Sequence, residues 1–532
     1  MKKFSVLLLF CITLYGSKAQ NKPNIVVILA DDMGYSDLSC YGSEINTPNI
    51  DAIAEAGVRL KQFYNTGRCC PTRAALLTGQ YPHNTGMGYM TGYDQKVYGY
   101  RGNLNKNNVT IAEALKPAGY TSYVSGKWHV TANIRPKGDQ SNWPLQRGFD
   151  GYFGILQGSA SYFTPATLTT GNKLIKAGED FYFTDAISDS ATAFVNKQTN
   201  SKNPFFLYVA YTAPHWPLHA REGDIQKYMS LYEKGWDKLR QERYKRQKKM
   251  GIADKNTKLS PKDTIPAWNK IPQKDRAMWV KRMAIYAAQI NAMDRGVGQI
   301  ITALKSNGMW DNTMVIFLSD NGACAEHLRR SVPTFETIGS NSTYESYRGY
   351  WANVSNTPYR LYKTRTYEGG IKTPFLVSWP NAIKQQGVWL DNQPAHVIDL
   401  LPTFLAAAGV NYPTRHKGKK INPFNGQNIL PLLTGQKIPE RTLYWEHEGN
   451  KAILDKNWKM VAMSSNDEPY EGEWELYDLR ADKTELVNLA SKYPRKVREL
   501  DQKWIEWAKN NNVYPIIGTD MGKRGKTYPR QH

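Results

Sequence analysis

Two pairs of hard oxygen ligands stand far apart in the chain, Asp31-Asp32 and Asp320-Asn321. Three carboxylates and an amide oxygen suit calcium or magnesium and not zinc, because the set offers neither thiolate nor imidazole. Taken alone, adjacent aspartates are equally at home in a turn or a helix cap. The segment Cys69-Cys70-Pro71-Thr72-Arg73, closing on Leu77-Thr78-Gly79, has proline for a first helical turn and glycine for an end. A helix there puts Cys69 just before its start, facing the positive end of the dipole, with Arg73 one turn on along the same side. That arrangement favours an anion; two buried cysteines beside a helix are the plainer alternative. Lys127 and His129 in Gly126-Lys127-Trp128-His129, and His215 in Ala213-Pro214-His215, add groups able to hold a tetrahedral anion or move a proton. Singly, each is as well explained by a solvated charge or a packed ring.

Four apolar runs must position these groups: Ile25 to Ala30, Tyr120 to Val124, Phe205 to Tyr211 and Met314 to Leu318. Each ends abruptly in ionisable residues, the pattern of buried parallel strands whose carboxyl ends carry a site. Helical stretches at Asn49 to Val58, Ile111 to Ala118, Asp185 to Asn196 and Arg282 to Lys305 alternate with them, predicting an α/β fold with a large, mostly parallel sheet flanked by helices. Residues 222–280 read as a helical surface insertion, and 321–362 as a long loop over the site. From about residue 440 the texture changes to short alternating runs and a polar helix from Arg495 to Asn510. The expected division is a catalytic domain over 20–435, a smaller α+β subdomain with an antiparallel sheet over 436–517, and a basic tail over 518–532.

The Cys69 segment resembles the Cys-x-Pro-x-Arg signature of type I sulfatases, members of the alkaline phosphatase superfamily, and Leu77-Thr78-Gly79 also matches. The resemblance extends through Pro23-Asn24-Ile25, Thr47-Pro48-Asn49-Ile50-Asp51 and Glu475-Leu476-Tyr477-Asp478-Leu479. It implies that a maturation enzyme converts Cys69, not Cys70, to formylglycine, and that Asp31, Asp32, Asp320 and Asn321 hold Ca2+ in preference to Mg2+. One hydroxyl of the aldehyde hydrate then attacks sulfur, and loss of the other's proton expels sulfate. By the same resemblance Asp320 also deprotonates the nucleophile, Arg73, Lys127 and His129 hold hydrate and sulfate, and His215 or Lys363, just before Tyr367-Glu368-Gly369-Gly370, protonates the leaving oxygen. Two departures, Gln80 for a common arginine and Arg365 in a usually small-residue stretch, leave these positions untouched. The implied activity is hydrolysis of sulfate monoesters, with an exo-acting carbohydrate sulfatase first, galactose sulfate as one substrate and aryl sulfates as another. A phosphonate monoester or phosphodiester hydrolase on the same scaffold, and a catalytically silent binder of sulfated glycans, are the alternatives. Tyr162, Trp351 and His447 are the candidates for walling a substrate pocket.

The chain has 532 residues and begins Met1-Lys2-Lys3, an apolar run to Tyr15, then Ser17-Lys18-Ala19, the order of a secretory leader over 1–19. A periplasmic or secreted protein is expected; Cys11 lies inside the apolar run behind Phe10, which argues against a lipoprotein. The formal charge of +22 falls by three, to +19, when Lys2, Lys3 and Lys18 leave with the leader. So basic a protein concentrates anionic partners, yet no nucleic-acid motif and no further membrane-length apolar segment is present. Four cysteines in the mature chain are too few for a disulfide framework.

Overall fold

The computed structural model describes residues 22–514 apart from 263, 329, 392 and 465–471; the expected leader and the tail from 518 lie outside the described residues. The four apolar runs become adjacent strands of one ten-stranded sheet: β1 (Asn24–Ala30), β2 (Thr121–Lys127), β3 (Phe205–Ala210) and β4 (Thr313–Ser319). Their order is β4-β1-β3-β2, and every contact among them is parallel. Both faces of these strands are covered, which is why they read as continuous apolar runs. Val26 and Ile28 of β1 belong to one hydrophobic core, while Ile25, Val27 and Leu29 belong to the other. Gly151–Ile155 extends the parallel block, and Leu168–Thr170 and Phe375–Ser378 add antiparallel strands on the two sides, making the sheet mixed.

Register brings the strand ends level. Leu29 pairs with Ala210, Ala30 with Ser319, and Gly126 with Ala210, so Asp31, Asp320 and Lys127 arrive at one edge. Gly126 has φ 115°, and a Cβ there would lie 2.0 Å from the Ala210 carbonyl oxygen, so only glycine lets β2 and β3 close up just before Lys127.

The helix Gln273–Ser306 begins nine residues before the stretch legible in the sequence. Its first turn carries Lys274 and Asp275, and its buried positions start only at Val280, so the opening turns lack an apolar stripe. The expected insertion does contain helices, Glu222–Gln226, Met229–Tyr232 and Gly235–Lys249, but its last residues already belong to the long helix. Residues 321–362 are not all loop: Arg348–Ser355 is helical. At the C-terminal end, Thr442–His447, Asn450–Asp455, Trp458–Ala462 and Glu475–Asp478 form a four-stranded antiparallel sheet closed by the helix Pro494–Asn510. Ile453, Met460 and Trp504 of this unit share a core with β1. No helix among the described residues is long and apolar enough to cross a membrane.

Candidate active site

Backbone hydrogen bonds stitch the loops beyond the sheet together: Asp31 N–H donates to Ala213 O at 3.0 Å and Asp320 N–H to Ala30 O at 3.1 Å. Asp32 is left-handed at φ 62° and His129 at φ 55°, conformations that cost a side-chain-bearing residue energy and that collect at functional sites. Gly322 packs so tightly that a Cβ would sit 1.8 Å from Gly369 O, and its N–H donates to Gly370 O. Lys363 N–H donates to Ala323 O at 3.1 Å. The lysine loop is thereby fixed to the segment that carries Asp320 and Asn321. The helix Cys69–Thr78 is wholly buried, starts one residue earlier than the sequence predicts, with Arg68 as its cap, and ends at Gly79 with φ 65°.

Cys69, Arg73, Lys127, His129, His215, Lys363, Asp31, Asp32, Asp320 and Asn321 converge, each no more than 5% exposed. Lys127 Nζ lies 2.6 Å from Asp31 Oδ2, and Arg73 donates to Asp320 Oδ2 at 2.9 Å and to Lys127 O at 3.1 Å. Lys363 Nζ is 2.8 Å from Asp32 Oδ2 and 3.4 Å from His215 Nε2. Asn321 Nδ2 donates to Asp32 Oδ1 at 2.7 Å, and Asp32 N–H to Asp320 Oδ1 at 3.2 Å. Burial, then repulsion from Asp31, pushes the Asp320 carboxyl well above its usual range; burial also raises Asp31 against the pull of Lys127 and Arg73. Burial would raise Asp32 as well, but Lys363 and His215 hold it down at about 2. Burial lowers His129 and His215 to about 4. A hydrogen bond from Cys70, with Lys127 and His129 nearby, holds the Cys69 thiol far below its ordinary range, and burial raises that of Cys70.

The residues fit a hard cation. Asn321 Oδ1 is a buried oxygen with no hydrogen-bond donor, and Asp31 Oδ1 has none either, only the Arg73 guanidinium at 3.5 Å, an arrangement that is costly unless a further positive group faces them. Ligand atoms of Asp31, Asp32 and His215 lie within 4.8 Å of one another. A divalent ion between the carboxylates would remove the repulsion that raises Asp320. The Cys69 and Cys70 thiols and a His129 nitrogen also lie within 4.8 Å of one another, a soft set distinct from the oxygen set.

The pocket-wall expectations fare differently. Trp351 is corrected: it is fully buried in an aromatic cluster with Trp236, Trp268 and Tyr232, and its Nε1 donates to Trp279 O. Tyr162 is buried too, and its hydroxyl reaches Thr212 O at 2.6 Å and His215 O at 2.8 Å, so it holds the loop bearing His215 and forms no pocket wall. His447 is enclosed, its Nδ1 3.3 Å from Gly88 O and its Nε2 3.3 Å from Glu448. Sequence reasoning missed Glu326, whose carboxylate joins Arg68, the residue before Cys69, at 3.3 Å to Trp216 Nε1 at 2.7 Å. Trp216 in turn packs on His215 with centroids 4.2 Å apart. No periodicity or motif singles out a lone glutamate six residues past Asp320.

Comparison with known proteins bears on what this arrangement does. The family described as Sulfatase matches residues 23–410, and N-sulphoglucosamine sulphohydrolase, C-terminal, matches residues 358–509. An uncharacterized sulfatase of Schizosaccharomyces pombe is 33% identical over 545 residues, covering 94% of this chain and 96% of its own. An arylsulfatase of Klebsiella aerogenes is 34% identical, covering 78% and 91%. The solved structure of Ps i-CgsB in complex with k-i-k-neocarrahexaose superposes with a TM-score of 0.68 at 26% identity, covering 95% of this chain and 96% of that one.

Proposed function

The chain belongs to the sulfatase family and is a hydrolase of sulfate esters, and on that premise we propose that Cys69, converted to formylglycine, is its nucleophile. In the same proposal Asp31, Asp32, Asp320 and Asn321 hold calcium, and the substrate is a sulfated carbohydrate cleaved at a chain end. One observation carries it: the buried Asn321 oxygen without a donor, and the Asp31 oxygen that only Arg73 approaches, at 3.5 Å, belong to a group that also holds Cys69 among five cationic or imidazole side chains.

Formylglycine, as its hydrate, supplies one hydroxyl to attack sulfur and a second whose deprotonation releases sulfate. Calcium, in preference to magnesium, would be held by Asp31, Asp32, Asp320 and Asn321 and would supply positive charge to the reacting anion. The chain's own residues do the rest. Lys127 and Arg73 are fixed by Asp31 and Asp320, so their charges are already in place when a sulfate enters, and no reorganisation is needed as charge moves onto it. His129, with a ring nitrogen within 4.8 Å of the Cys69 sulfur, orients the hydrate.

The proton for the leaving oxygen comes from Lys363. His215 Nδ1 lies 2.6 Å from Trp216 O, and a carbonyl only accepts, so Nδ1 carries the ring proton and Nε2 is the acceptor that faces Lys363 Nζ. His215 therefore orients Lys363 or relays its proton, in agreement with a ring whose pKa burial lowers to about 4.

The carbohydrate assignment is supported by Ps i-CgsB, a similar structure holding k-i-k-neocarrahexaose. Export through residues 1–19 to the periplasm or beyond belongs to the same proposal, as does a maturation enzyme acting on Cys69. The test is sulfate release from a panel of sulfated mono- and oligosaccharides, 4-nitrophenyl sulfate and a phosphodiester. Release from one sugar class is expected; hydrolysis of the phosphodiester alone would overturn the substrate assignment.

A further inference from the structure

The helix Gly235–Lys249 separates its basic residues by type. Its arginines are partnered: buried Arg243 binds Asp37 at 2.6 Å and Glu44 at 2.7 Å, half-buried Arg246 reaches Glu44 at 3.2 Å, and buried Arg240 donates to Ser260 O at 2.7 Å. Lys238, Lys245, Lys248 and Lys249 are exposed, and none of them pairs with an acid among the described residues. Their spacing of seven, three and one keeps them on the outer face.

The strip continues off the helix. Lys248 lies over the Tyr244 ring at 4.5 Å, and Tyr244 donates to Thr257 O at 2.7 Å, which places the loop bearing Lys255 and Lys258 alongside. Those two lysines are also exposed and unpaired among the described residues. From Lys238 to Lys249 the helix rises about 16 Å, so its four ammonium groups make an extended row and not a point. Along the helix the lysines follow one another at about 10 Å or less, and Glu242, the acid between Lys238 and Lys245, is already paired with Lys234 at 3.5 Å, so the summed field of the row favours a polyanion lying along it. The helix is anchored at the active-site edge of the sheet: Arg243 also donates to Ser36 O at 3.2 Å, four residues beyond Asp32.

We infer that this lysine row is a docking ridge for a sulfated polysaccharide chain, separate from the catalytic pocket, which holds polymeric substrate near the site. The inference rests on the proposed carbohydrate reading for its choice of polyanion. Lysine suits the role because its flexible ammonium accepts sulfates at irregular spacing, where the paired arginines are fixed. Docking raises the local concentration of chain ends without altering the chemistry.

The test compares wild type with K238E/K245E/K249E by affinity electrophoresis through gels containing a sulfated galactan or its desulfated form. Wild type should be retarded by the sulfated polymer alone, and the variant should lose at least about tenfold in apparent affinity at low salt, a difference that shrinks at 0.5 M salt. Turnover of 4-nitrophenyl sulfate should stay within about twofold, as expected for residues remote from the chemistry. Equal retardation of both proteins would overturn the ridge, as would tighter binding of wild type to anionic phospholipid vesicles or to DNA. Retardation lost in the variant while wild type releases no sulfate from any ester would uphold the ridge and overturn the proposed function instead.

Discussion

Replacing Lys363 by methionine removes the proposed proton donor while keeping most of the side chain's volume. An unassisted sugar alkoxide is a poor leaving group, so losing general acid assistance should lower kcat/KM on a sugar sulfate by about 10²–10⁴-fold, a barrier increase of roughly 3–5 kcal/mol. A nitrophenolate leaves without help, and its sulfate should lose no more than about tenfold, the part owed to one cation fewer beside the anion. Removing one member of a buried ion pair costs about 3–5 kcal/mol of stability. Here the lower end applies, because Asp32 keeps the Asn321 Nδ2 donor at 2.7 Å. The assay is steady-state kinetics on both esters, with chemical denaturation of the same preparations. Equal losses on the two substrates would refute the proton-donor role and make Lys363 a sulfate-binding or structural cation.

Asp320→Asn should weaken calcium binding by about 10–100-fold by titration calorimetry and lower turnover in parallel; unchanged affinity would remove Asp320 from the metal shell. His219 donates through Nε2 to Thr343 O at 2.7 Å and accepts the Tyr162 N–H at Nδ1, so it fits only as a neutral ring, and burial lowers it to about 4. Because that lies below the unfolded value of about 6.5, its contribution is complete above pH 6.5 and is lost as pH falls toward 4. Denaturation midpoints should show His219→Gln flattening this acid-side loss by on the order of 3 kcal/mol; an unaltered pH profile would refute it. Lys459 is buried between Glu368 Oε1 at 2.6 Å and Glu485 Oε1 at 2.7 Å, tying the C-terminal sheet to the turn after Lys363. Lys459→Met should cost about 3–5 kcal/mol by denaturant unfolding, and a loss below about 1 kcal/mol would show the tie to be dispensable.

The central strands were legible because burial on both faces leaves a continuous apolar signature, and Asp31, Asp32, Lys127, His129, His215, Asp320 and Asn321 because they stand at or just past the ends of those strands; Lys363 follows none of them and came from the resemblance alone. The helix Cys69–Thr78 could be placed to within a residue from Pro71 and Gly79 alone. What escaped was set by tertiary contact. Trp351 sits among polar residues in sequence, yet the insertion folds three other aromatics around it, so its neighbours in the chain misrepresent its surroundings. Tyr162 lies near the site but points its hydroxyl at backbone carbonyls, a direction no sequence pattern encodes. The first turns of Gln273–Ser306 are charged because they reach past the core, which hid the start of the longest helix. Glu326 matters through two partners, each more than a hundred residues earlier in the chain.

The central claim is that chemistry begins at a modified Cys69. Mass measurement of the peptide spanning Cys69 to Arg73, made on preparations with different degrees of conversion, should be set against sulfate release by the same samples. Activity proportional to the converted fraction, and abolished in a folded Cys69→Ala variant, is the predicted result. Full turnover by unconverted protein, or by Cys69→Ala, would contradict the account.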